Sequence, residues 1–340
     1  MSLKNNYFIL FANCIPVKGA KRSIICDLQR NIIKIIPNSL YEILTQYKKF
    51  DISEIKQLFN SDQNFIIDDY FQFLIENEFG FWTTKENIEL FPPLQLNWDS
   101  PSLITNAIID INKHSNLNNL QKIFLELDEL GCKHIQIRFF DSVSINRIIS
   151  IFEKFETKLI TSISLIIKFS KAIYSNINIF INIRRITHIT LFMATDNREE
   201  YKGHLKIICV KDNITSSNDC GNIDFNYFFS NIYFFSESQY YNSCLNRKIS
   251  IDINGEIRNC PSIKKSYGNI RDLSLNEVVN KAEFRVYWTM NKDQIEVCKD
   301  CEFRYACSDC RAFIKDPANI YSKPEKCSYN PYNAKWETNC

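Results

Sequence analysis

The sequence predicts an α/β protein in three parts, and three observations carry that expectation. Strand-like and helix-like segments alternate from residue 94 to about 238, the wording of βα units on a parallel sheet, either open or part of a barrel. The first ninety residues read instead as strands followed by three helices. The last hundred residues hold seven of the chain's thirteen cysteines in one spaced series. The expected divisions are 1–90, 94–238 and 240–340, with Phe91-Pro92-Pro93 as a linker.

In the first part, residues 7–13, 22–28 and 31–36 read as strands, with 27–31 as the turn between the last two. Pro37-Asn38-Ser39 opens a helix over 40–47. Asp51-Ile52-Ser53-Glu54 has the form of a capping box and starts a second helix that runs through Phe59. The third helix carries Ile67, Tyr70, Phe71, Leu74 and Ile75, the stripe of a buried face, and ends near Gly80. Phe81-Trp82-Thr83 adds a short strand. The third helix also bears Asp68, Asp69 and Glu76 and no basic stripe, which argues against nucleic-acid binding.

In the middle part, strands are expected at 106–111, 134–140, 159–167, 177–183, 186–192 and 205–210, and helices at 117–130 and 145–155. In the last part, 248–253 and 256–259 flank Asn254-Gly255, the strongest short hairpin signal. That hairpin would bring Cys244 and Cys260 close together. Ser274-Leu275-Asn276-Glu277 is a second capping box, opening a helix from 275 toward 288 that delivers the chain to Cys298.

Composition narrows the function classes. Apolar residues make up 45% of the 340 and charged residues 24%, the proportions of a globular protein with its own core. A net charge of +2 argues against a polyanion surface as the main business. Neither G-x-G-x-x-G nor G-x-x-x-x-G-K-[ST] occurs, so neither familiar nucleotide loop is expected. The longest apolar stretch, 159–169, is interrupted by Thr161, Ser162, Ser164 and Lys168 and falls short of the ~20 residues that span a bilayer. No small-residue cleavage site follows the opening MSLKNNYFILFANC, so the expectation is a cytoplasmic protein without a membrane partner. In that compartment thiols stay reduced, and a dense cysteine series points to metal or redox chemistry.

The series is Cys244, Cys260, Cys298, Cys301, Cys307, Cys310 and Cys327. Its middle four form two C-x-x-C pairs five residues apart, and thiolates are soft ligands suited to zinc or to iron–sulfur clusters. Zinc ribbons place roughly 12 to 20 residues between such pairs, whereas only 302–306 separate them here. Cubane clusters take four thiolates each, and two of them would engage the whole series.

With Gly255 between Cys244 and Cys260, the pattern C-x10-G-x4-C, then C-x2-C-x5-C, then two further cysteines, resembles the SPASM domain. Lys248-Ile249-Ser250-Ile251-Asp252, Cys260-Pro261-Ser262, Gly268-Asn269-Ile270 and Cys301-Glu302-Phe303-Arg304-Tyr305 agree with that family. The Cys307–Cys310 gap of two residues, where three is usual, departs from it. The resemblance covers about 240–332 and implies two auxiliary 4Fe–4S clusters, or one if only one assembles. Cys298, Cys301, Cys307 and Cys327 would hold one. Cys244, Cys260 and Cys310 would hold the other, its last iron left to Cys220, to an unidentified group, or to solvent or substrate.

That domain follows a radical SAM barrel in its family, where C-x3-C-x2-C stands after the first strand. Here the corresponding loop, Asn112-Lys113-His114-Ser115-Asn116-Leu117, has no cysteine. A degenerate partial (β/α) barrel is implied, and S-adenosylmethionine cleavage is not expected. The order of elements in residues 1–90 resembles the winged-helix-like leader-peptide recognition domains, which grip an extended peptide by strand addition. A plain structural winged helix is the alternative for that unit.

Together the three parts resemble the SPASM-domain peptide maturases of grasp-with-spasm systems. That resemblance implies a ribosomal precursor peptide and an ATP-grasp ligase as partners. A non-catalytic zinc-bound adaptor and a radical enzyme with atypical cluster ligands are the other readings. No residue is assigned a catalytic role. His114, His134, His188 and His204 read as scattered core or surface residues, Cys14, Cys26 and Cys132 as packing, and Cys340 as inert. Arg184-Arg185 reads as a solvated loop, and Asp252 has no assignable role.

Overall fold

The computed structural model describes residues 6–48, 51–59, 62, 64–115, 117–153, 157–214 and 216–337. Cys340 therefore lies outside the described residues. Strand β1 (Tyr7–Leu10) does not run on to residue 13 as expected. The Cys14 amide donates to the Phe11 carbonyl at 2.8 Å, closing a turn. Strand β2 (Cys14–Val17) then begins in a new direction and pairs antiparallel with β3 (Ser23–Asp27), which pairs with β4 (Ile32–Ile36). Helices α1 (Asn38–Gln46), α2 (Ile52–Leu58) and α3 (Asn64–Glu76) follow, and β5 (Gly80–Thr83) returns to pair with β1. The Asp51 capping box forms as the sequence implies. One face of the β2–β3–β4 sheet, with Cys14, Ile25 and Ile36, packs on the three helices. Its other face, with Val17, Ile24 and Cys26, packs on Phe303 and Tyr329 from the far end of the chain.

The middle of the chain builds a large, mostly parallel sheet. In chain order come β6 (Asn106–Ile111), α4 (Leu117–Glu129), β7 (His134–Phe139), α5 (Ile145–Phe152), β8 (Ser162–Lys168), α6 (Lys171–Ser175), β9 (Ile186–Phe192), β10 (Arg198–Lys202), β11 (Leu205–Cys209) and α7 (Ile232–Tyr240). Residues 177–182, expected as a strand from the alternation I-N-I-F-I-N-I, instead form a 3₁₀ turn. Ile177 and Phe180, three residues apart, both enter the core, and a period of three suits 3₁₀ geometry. β10 (Arg-Glu-Glu-Tyr-Lys) is a charged edge strand without apolar alternation, which is why its sequence gives no strand signal.

The hairpin of β12 (Lys248–Ile251) and β13 (Ile257–Arg258) joins this same sheet, with β12 parallel to β6. The eight-stranded order is β10-β11-β9-β8-β7-β6-β12-β13. A single core therefore unites Ile109, Ile137 and Leu165 with Ile249, Val278 and Phe284. The helix expected over 275–288 breaks into α8 (Leu275–Val279) and α9 (Ala282–Arg285). Lys281 between them is extended, and its ammonium donates to the Tyr267 carbonyl at 3.1 Å. A last small hairpin, β14 (Tyr329–Asn330) and β15 (Lys335–Trp336), closes the described chain. Among the described residues no helix is long and apolar enough to cross a membrane.

Candidate metal centre

The seven cysteines fall into two groups in space. Cys298 and Cys301 sit at the two ends of one 3₁₀ turn, where the Cys301 amide donates to the Cys298 carbonyl at 3.0 Å. A second turn brings Cys307 back, its amide donating to the Phe303 carbonyl at 3.0 Å. Cys327 lies on the turn after Pro324. Cys298 and Cys307 lie within electrostatic reach of each other and of Cys327, and Cys301 within reach of Cys298 and Cys307. The chain enters the group through Val297, whose φ of +65° is left-handed for a β-branched residue. The Cys298 amide donates to the Glu296 carbonyl at 2.7 Å, closing a γ-turn of the rare, strained form. Strain of that kind persists only where the surroundings over-determine it, and it is common at functional sites.

Cys298 and Cys307 are 6% and 5% exposed, and burial pushes the Cys307 thiol up to about 12. Cys298 and Cys301 are raised by burial as well. Left bare, these groups would stay protonated, so loading a metal must displace their protons. The opposing influence is a buried cation. Lys292, 4% exposed, donates from Nζ to Cys307 Sγ at 3.3 Å and lies 3.9 Å from Asp309 Oδ1. Burial opposes its charge, but thiolates at Cys307 and Cys298, once their protons are displaced, and Asp309 hold the ammonium protonated. Asp309 is in turn held by Arg311 at 2.7 Å and by Asn242 at 2.7 Å.

The second group gathers Cys244, Cys260 and Cys310, whose thiols influence one another electrostatically. Cys244 and Cys260 flank the β12–β13 hairpin as the turn signal implied, and both pack around Leu245 and Ile263. Lys248 Nζ donates to Cys244 Sγ at 3.7 Å, so each group has a lysine on a sulfur. Together with Cys220 these three thiols line a cavity of about 340 Å³. Among the described residues, no three His, Cys, Asp or Glu side chains converge as ligands of one metal ion.

The β2–β3 turn docks directly on the first group. The Ala20 amide donates to the Asp300 carbonyl at 2.8 Å, and Arg304 Nη1 donates to the Lys18 carbonyl at 2.5 Å. A Cβ on Gly19 would lie 2.8 Å from the Glu302 Cβ, so only glycine admits this approach. Arg22 Nε donates to Glu302 Oε1 at 2.8 Å and its Nη2 to the Tyr329 hydroxyl at 3.2 Å, while that hydroxyl donates to the same Glu302 oxygen. Lys248, Lys292 and the Arg22–Glu302–Tyr329 set were not singled out from sequence. Lys292 stands in Asn-Lys-Asp-Gln, a string that reads as surface.

The other residues weighed from sequence are placed without a shared site. Cys14, Cys26 and Cys132 are buried core residues, and burial raises all three thiols. Asp252 caps the hairpin turn, accepting from the Asn254 and Glu256 amides and pairing with Arg258 at 3.2 Å. Arg185 Nη1 donates to Thr157 at 2.6 Å. A second cavity, of about 350 Å³, opens at the ends of β6 and β12 beside His114, Ser115 and Asp252, and no cysteine lines it.

The chain matches the SPASM family, described as an iron–sulfur cluster-binding domain, over residues 243–302. The match spans Cys244, Cys260, Cys298 and Cys301, while Cys307, Cys310 and Cys327 lie beyond it. A search of curated proteins returned no match. Residues 243–302 are thus similar to the SPASM domain, a family whose cofactor is of the iron–sulfur kind. The donor set suits that cofactor: two groups of soft thiols, each with a lysine to offset thiolate charge.

Proposed function

We propose that this protein is a peptide-maturation component that holds two 4Fe–4S clusters and handles a ribosomal precursor peptide beside an ATP-grasp ligase. The observation that carries the cluster reading is the separation of the cysteines into two thiol groups, each with its own lysine. Cys298, Cys301, Cys307 and Cys327 would hold the first cluster, and Cys244, Cys260 and Cys310 the second. The clusters would supply redox-active or Lewis-acidic iron, while Lys248 and Lys292 offset the charge of the sulfurs. Around one zinc ion, bonds of about 2.3 Å would draw four sulfurs to within ~4 Å of one another, whereas a cubane spreads them because each binds a separate iron. Anaerobic purification with iron, sulfide and zinc analysis decides between them: iron and sulfide in equal amounts are expected, and stoichiometric zinc without iron overturns the assignment.

Two observations support the peptide reading: the resemblance in element order, and a three-stranded sheet whose β4 has no second strand partner among the described residues. Lys34 and Ile35 are exposed on β4, and an extended segment added there would gain backbone hydrogen bonds. The full-length protein is expected to bind a labelled precursor peptide in fluorescence anisotropy. No binding at tens of micromolar would remove this half of the proposal. The loop after β6 has no thiol to differentiate an initiating cluster, so incubation with S-adenosylmethionine and reductant is expected to release no 5′-deoxyadenosine.

A further inference from the structure

The seven-cysteine series leaves the second group one thiolate short of four. We infer that Cys220, which lies outside the series and outside the family match, supplies the fourth thiolate of the second cluster; this rests on the two-cluster reading above. Cys220 lines the same cavity as Cys244, Cys260 and Cys310. It sits on a short loop whose 3₁₀ turn, Ser217–Asp219, is capped from both directions by Ser216 and Asp219.

Three hydrogen bonds fasten this loop to the cysteine-rich part. Ser262 Oγ, two residues after Cys260, donates to the Ser217 carbonyl at 2.7 Å. Lys326 Nζ donates to the Asn218 carbonyl at 2.5 Å and to the Cys220 carbonyl at 2.7 Å. Lys326 adjoins Cys327, so one lysine ties the loop to the edge of the first group while the loop faces the second. The next residue, Gly221, has φ +89°, and a Cβ there would lie 3.0 Å from Cys310 Sγ and 3.1 Å from Phe313. The backbone thus presses against one sulfur of the group while presenting another.

Burial divides the four sulfurs. Cys260 is buried and Cys244 and Cys310 half-buried, whereas Cys220 is exposed. A cluster held this way has three ligands set in the fold and a fourth on its solvent side.

The test is anaerobic reconstitution of the full chain with iron and sulfide, followed by iron counting and electron paramagnetic resonance of the reduced protein, with and without imidazole as an external ligand. Wild type is expected to take up about eight irons and to be blind to imidazole. Cys220→Ala is expected to lose between one and four irons, or to show a signal that shifts with imidazole. Cys310→Ala should affect the same signal, and Cys132→Ala neither. Circular dichroism equal to wild type establishes that exposed Cys220→Ala is folded. A Cys220→Ala protein with the iron content, signal and imidazole response of wild type overturns the inference and leaves the two-cluster reading standing. Wild type without iron overturns both.

Discussion

Replacing Arg22 by methionine isolates the ion pair between the β2–β3 turn and the first thiol group. Glu302 is fully buried, its Oε2 has no hydrogen-bond partner, and Oε1 is shared by Arg22 and the Tyr329 hydroxyl. Removing one member of a fully buried pair costs about 3–5 kcal/mol, because the other charge is left stranded. The Arg22 side chain is 27% exposed, so solvent screening lowers that to roughly 2–3 kcal/mol. Methionine keeps an apolar stem near the Phe303 ring, over which the guanidinium now sits at 5.9 Å, so lost packing contributes little. At an unfolding entropy of about 2.1 cal/mol/K per residue, 340 residues give ~0.7 kcal/mol/K and a melting shift of about 3–4 °C. Calorimetry and urea unfolding at neutral pH read this directly. The decisive arm is the cycle with Glu302→Gln, because a neutral amide no longer needs the cation. Arg22→Met/Glu302→Gln should be more stable than the sum of the two single losses by about 1–2 kcal/mol. Simple additivity would refute the stranded-charge argument.

Three further outcomes follow from the same geometry. Lys292→Met removes a charged donor from Cys307 Sγ and should lower the midpoint potential of the cluster proposed there by roughly 60 mV, the equivalent of ~1.4 kcal/mol for one electron, in a titration followed by paramagnetic resonance. Gly221→Ala places a Cβ against Cys310 Sγ at a left-handed position and should cost about 1–2 kcal/mol in thermal unfolding while slowing cluster uptake by visible absorbance. Burial lifts Glu237 to about 7, partly offset by the Asn246 amide at 2.8 Å. The fold favours its neutral form, so this contribution is complete below its ordinary value near 4.5 and is lost as pH rises through about 7; Glu237→Gln should flatten that stretch of the stability–pH curve.

Much of the architecture was legible because its signals are local. The strands at 106–111, 134–139 and 186–192 show as apolar runs, and the capping boxes at Asp51 and Ser274 form as written. The segment at 177–182 misled because alternating Ile and Asn fit period two and period three equally well over so short a run. α7 is aromatic on several sides and lacks a polar face, so its sequence has no helical stripe to read. The spacing of the cysteines, through the resemblance it supports, is what suggested two groups. Their surroundings were not legible in this way, since Lys292, Asp309 and Arg22 become partners only through contacts many residues apart in the chain.

The parallel pairing of β12 with β6 bears on how such proteins can be taken apart. Ten residues of the main core, from Ile249 to Trp288, come from the cysteine-rich end. Cutting the chain near residue 240 would strip that apolar surface and lay bare the edge of β6 along Asn106–Ile109, a template for pairing with a second chain. The cysteine-rich end is thus a structural wall of the sheet. Truncations meant to ask what the rest of the chain does alone should aggregate before they answer.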